Sequence, residues 1–145
     1  MRRRVGGVAV VTLVEALAAE AVAYMWCVAR ADNLAFDEAR LGLSANPAGF
    51  DALPEAAREV YWFAEEALAE AEREWQWSVE TVAGALVDEC GEVAAELLWH
   101  LVQDRVDDPG LEGPTVAEAV MITQAVLTPQ RAYDRLPGVA AAWAA

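Results

Sequence analysis

Between Val82 and Leu97 the large apolar residues return at helical intervals, at Val82, Leu86, Val93 and Leu97. A helix turns through about 100° per residue, so this spacing lays one apolar stripe along one side of a helix, whereas a half-buried strand needs a period of two. No run of alternating Val, Ile, Thr or aromatic residues lies between turn signals. The expected fold is therefore all-α. A length of 145 residues suits a single helical domain over 1–145, built as an antiparallel bundle of four to five helices.

The punctuation of the chain divides it further. A first helix is expected from Val5 to Arg30, apolar nearly all round and so central or subunit-facing, with Glu15 and Glu20 as its polar exceptions. Residues 31–54 hold Asn33, Asn46-Pro47, Gly49 and Pro54, which predicts a long connection with one short helix near Phe36 to Leu43. A second helix follows from Pro54 to Trp75, with Asp51 as a possible cap. Residues 75–78 mark either a bend or the start of a separate third helix, which Ser78 can cap and which reaches Val106. Asp107-Asp108-Pro109-Gly110 stops that helix. Thr115 and Glu118 form a capping-box pattern at the start of a fourth. A further short helix is expected from Thr128-Pro129, and residues 138–145 form an apolar tail with Trp143.

Charge narrows the partners. The chain carries a net charge of -14 and contains no lysine, which argues against direct binding to a nucleic-acid backbone. Acidity of this degree fits a cation site, a basic protein partner or solubility alone. Hydrophobic residues make up 57% of the chain, enough to predict subunit-facing surface and a homo-oligomer. Cys27 and Cys90 show no metal-ligand spacing and read as reduced thiols, placing the protein in the cytoplasm. Met1-Arg2-Arg3-Arg4 and the VGGVAVVTLV run resemble the start of a secretory signal, with Ala16-Leu17-Ala18 as a cleavage site. Glu15 and Glu20 interrupt that run, so no membrane span is expected.

Chemistry concentrates in the run Asp88 to Val102. On an unbroken helix Glu89, Glu96 and His100 fall within roughly 40° of one another, with Glu92 beside them at the lip of the apolar stripe. The string Asp88-Glu89-Cys90-Gly91-Glu92 resembles the EExGE signature of the all-alpha nucleoside triphosphate pyrophosphatases, the MazG-like superfamily. The resemblance implies a Mg²⁺ cofactor and cleavage of a nucleotide between its alpha and beta phosphates. It carries metal ligation to Asp88 or Glu89 together with Glu92. Mg²⁺ requires several hard oxygens in near-octahedral array, which facing helices can supply. Trp75 and Trp77 lie where such proteins often hold an aromatic that stacks on the base, and Arg105 is a further candidate substrate contact.

The family's second motif, ExxD, has no counterpart, because Glu118 is followed at i+3 by Met121. Ala95-Glu96-Leu97-Leu98-Trp99-His100-Leu101 instead resembles a segment of the phosphoribosyl-ATP pyrophosphatases. In that register Glu65, Glu66 and Glu70 supply the first acidic motif. The candidate set is thus Glu89, Glu92 and His100 for catalysis, and Asp88, Glu89, Glu92, Glu96, Glu66 and Glu70 for metal. Glu15 and Glu20 could complete it.

Other chemistries fit less well. A di-iron bundle needs ExxH, whereas Glu96 and His100 are four apart and His100 is the only histidine. No triad or phosphate loop can be composed. Glu65, Glu66, Glu70, Glu72 and Glu74 also read as a solvated face supported by Arg58 and Arg73. The six tryptophans, Trp26, Trp62, Trp75, Trp77, Trp99 and Trp143, also read as core and interface anchors. The alternative to the enzyme is a non-enzymatic acidic helical protein that binds a basic partner or mimics nucleic-acid charge.

Overall fold

The computed structural model describes residues 3–5, 8–43, 46–108 and 112–134. Four α helices dominate: α1 Leu13–Arg40, α2 Glu55–Cys90, α3 Val93–Asp107 and α4 Val116–Asp134. Ahead of them two short strands, β1 Arg3–Val5 and β2 Val8–Val10, pair antiparallel with Arg4 opposite Ala9. The all-helical expectation thus holds for the bulk of the chain and fails at its start. Among the described residues no helix is long and apolar enough to cross a membrane.

The first helix begins eight residues later than the sequence predicts, at Leu13 rather than Val5. Thr12 sets its start: the Thr12 hydroxyl accepts the Glu15 amide at 3.2 Å and donates to the Glu15 carboxylate at 3.1 Å. Thr115 and Glu118 repeat the arrangement at α4, each contact 3.1 Å long. In both, the hydroxyl satisfies an amide that the first turn leaves without a helical acceptor.

At its far end α1 continues to Arg40 through the segment expected to be a connection. The connection is shorter, with a 3₁₀ turn over Pro47–Ala52. The bend expected at residues 75–78 is also absent, since α2 is continuous from Glu55 to Cys90. Ser78 sits inside it and donates to the Trp75 carbonyl at 2.6 Å instead of capping a new helix. The real interruption is Gly91, at φ +92. Its left-handed backbone ends α2, and its amide bonds back to the Val87 carbonyl at 2.8 Å. The α3 helix then opens on tighter i→i+3 bonds, Ala94 to Gly91 and Ala95 to Glu92. Finally, α4 runs through Pro129 without restarting at Thr128, whose hydroxyl donates to the Gln124 carbonyl at 2.6 Å. Pro109-Gly110 and the tail from 135 onward, including Trp143, lie outside the described residues.

The chain forms two compact units, Met1–Leu17 with Val79–Ala145, and Ala18–Ser78. The first has a dense apolar centre. Leu13 and Ala16 of α1, Val79, Val82 and Leu86 of α2, Ala94, Leu98 and Val102 of α3, and Val116, Ala119, Val120 and Thr123 of α4 are all buried. Their intervals of three and four are those of one helix face directed inward. In the second unit Glu20, Cys27, Leu43, Ala71 and Trp75 are buried, with the Tyr24 and Trp75 rings 5.4 Å apart. That unit leaves Val22, Met25, Trp26, Phe36, Val60, Trp62, Phe63 and Trp77 exposed.

Candidate functional site

The break at Gly91 changes the meaning of the acidic run. Asp88 and Glu89 close α2, Glu92 is the N-cap residue of α3, and Glu96 stands in the first turn of α3. The stripe that unites them on paper requires an unbroken helix, which the left-handed residue removes. The phase of the buried face shifts with it: Ala94, Leu98 and Val102 point inward, while Val93 is 56% exposed. Asp88, Glu89, Glu92, Glu96 and His100 all lie on the solvent side instead of at the lip of a core. Glu92 and Glu96 favour the positive end of the α3 dipole, whereas Asp88 opposes the negative end of α2.

The other candidates scatter. Glu66 and Glu70 are exposed on α2 in the second unit. Glu70 lines a shallow cleft of about 260 Å³ with Trp26, Arg30 and Glu74, where the Arg30 guanidinium lies 5.3 Å over the Trp26 ring. Glu20 is buried and Glu15 is engaged by the Thr12 cap. Trp75 is 1% exposed and belongs to the core, so it offers no face to a base; Trp77, at 72%, does. Arg105 donates to the Gly113 carbonyl at 3.2 Å and ties the α3–α4 loop. Among the described residues no three His, Cys, Asp or Glu side chains come together as a metal-binding group.

Both cysteines are free thiols. Burial, aided by the negative charges of Glu72 and Glu74, pushes the Cys27 thiol up to about 11. At neutral pH it is a protonated core group and a poor nucleophile.

What the structure does bring together is a pair of adjoining clefts on the second unit. The larger, about 500 Å³, is lined by Phe50, Glu55, Arg58, Glu59, Trp62 and Glu65. The smaller, about 320 Å³, is lined by Glu59, Trp62, Phe63 and Glu66. Glu59 and Trp62 line both. Phe50 is held by the 3₁₀ turn and braced on Tyr61, their rings 5.6 Å apart and inclined by 55°. The Tyr61 hydroxyl donates to Glu38 at 2.9 Å and so links α2 to α1. Burial, that hydrogen bond and the charge of Glu65 hold the Tyr61 phenol above its ordinary range, so it remains a neutral donor.

Sequence reading passed over this site because Phe50 falls in the connection and Glu55 and Glu59 belong to no acidic motif. The signal was present. Glu55, Glu59, Trp62 and Glu66 follow at i, i+4, i+7 and i+11, within roughly 60° of one another on a helix. Comparison with known proteins brings no match: no family model, curated protein or solved structure is similar to this chain.

Proposed function

We propose that this protein is a non-enzymatic, acidic helical interaction protein that binds a basic partner. The observation that carries the reading is the pair of solvent-facing aromatics on α2: Trp62 is 63% and Phe63 72% exposed. Carboxylates surround Trp62 and Phe63. Exposed aromatics clustered on one unit mark an interaction surface more than a solvated face. A net charge of -14 selects the sign of the partner and steers its approach. The test is calorimetric titration with arginine, lysine and glutamate hexamers at several salt concentrations. The reading predicts binding of the basic hexamers that weakens as salt rises, and none of the glutamate hexamer; no binding of either basic hexamer at low salt overturns it.

The nucleotide pyrophosphohydrolase reading draws its support from the residue types of the Asp88–Glu92 run, and it makes the opposite forecast. It requires Mg²⁺-dependent pyrophosphate release from a nucleotide panel, lost in Glu92→Ala. The solvent-side placement of Asp88, Glu89, Glu92, Glu96 and His100 favours the interaction reading.

We further propose that two copies associate through α1. Ala18, Val22, Met25, Ala29 and Phe36 are all exposed, at intervals of four, three, four and seven, with Asp32 dividing the last into three and four. This is the heptad spacing that pairs a helix with its like. A face with one carboxylate and no cation suits another copy of itself better than a charged ligand.

A further inference from the structure

We infer that the paired cleft around Trp62 is an arginine-accepting site, in which the guanidinium of a partner's arginine stacks on the Trp62 ring and bonds to the carboxylates of Glu55, Glu59 and Glu65. The assignment rests on the reading of the protein as a binder of basic partners and names where that binding occurs. Three carboxylates and one guanidinium line the larger cleft, and Glu66 adds a fourth carboxylate in the smaller one. The surplus is negative, so the occupant is a cation. Phe50 and Trp62 give the walls apolar area that a compact, strongly hydrated ion would not use, whereas an arginine has both a planar charged head and a long aliphatic stem. Guanidinium groups stack on indole faces and pair with carboxylates in a two-pronged geometry, and the carboxylates here flank the ring. A volume of about 500 Å³ accommodates such a side chain with part of its backbone.

The construction of the site supports the same occupant. Phe50 is fixed by its ring contact with Tyr61, and Tyr61 by its hydrogen bond to Glu38, so one aromatic wall exists before anything binds. Glu55, Glu59 and Trp62 project from a continuous helix rather than from a loop. A preformed wall of this kind lowers the ordering cost of binding.

The experiment is titration of the full chain with an arginine hexamer, a lysine hexamer and the neutral isosteric citrulline hexamer, using wild type and the Trp62→Ala, Glu59→Gln and Trp77→Ala variants. All three substitutions are at exposed positions, and circular dichroism checks that each variant is folded. The site predicts that arginine binds more tightly than lysine and that citrulline does not bind. Trp62→Ala should weaken arginine binding about three- to tenfold. Glu59→Gln should weaken it and flatten its salt dependence, and Trp77→Ala should leave it unchanged. If basic hexamers bind but Trp62→Ala and Glu59→Gln bind as wild type does, the cleft assignment fails while the basic-partner reading stands. If neither basic hexamer binds at low salt, both fail. Equal affinity for arginine and lysine overturns the stacking role of Trp62, and binding of citrulline overturns the need for charge.

Discussion

Two glycines seven residues apart do opposite things. Gly91 holds φ +92, where an L side chain is strained, while Gly84 lies inside α2 with ordinary helical backbone and open space where a Cβ would stand. Gly91→Ala is expected to lower stability by about 1–2 kcal/mol. Gly84→Ala should raise it by roughly 0.5–1 kcal/mol through better helix propensity. Chemical denaturation of both variants checks the signs. Cys27 makes a second residue-level forecast. Its thiol titrates near 9.0 when exposed and near 11 in the fold, so above pH 9 the unfolded chain releases a proton that the native one keeps. The contribution is complete below pH 9 and is lost as pH rises toward 11. Denaturation between pH 8 and 11 should show falling stability, with a shallower slope in Cys27→Ser; a slope identical to wild type would remove Cys27 as a cause.

At the scale of elements, the placement of the acidic run depends on where helices stop. Val82, Leu86, Val93 and Leu97 share a face only if α2 continues, and one left-handed residue moves the buried positions beyond it to Ala94, Leu98 and Val102. A glycine followed by more helix-compatible residues is ambiguous in sequence, because it can sit within a helix, as Gly84 does, or end one. The starts are better marked. Thr115-x-x-Glu118 and Thr12-x-x-Glu15 both cap helices, although the apolar residues before Thr12 drew the expected start of the first helix back to Val5. Thr12→Ala and Thr115→Ala are each expected to cost about 1 kcal/mol, measured by thermal or chemical unfolding. The exposed heptad on α1 makes the remaining forecast for an element. Met25→Glu should give monomers in light scattering at concentrations where wild type forms dimers; wild type that is monomeric throughout would defeat the pairing.

For the whole molecule, net charge sets two responses of opposite sign. Copies carrying -14 repel, so added salt should raise the dimer fraction while weakening any basic ligand. Light scattering and calorimetry on one salt series separate the two. The residue pattern by itself determined the helical class, the α4 cap and the net charge of -14, because propensity, capping and charge are local or additive. Only the tertiary structure decided which carboxylates share a place. Glu89 and Glu96 are near in sequence and divided by Gly91, whereas Phe50, from the connection, meets Trp62 and Glu55 on α2 at one cleft. Such meetings depend on chain reversals and on the phase of each helix, and a shift of one residue in either turns a side chain from core to solvent.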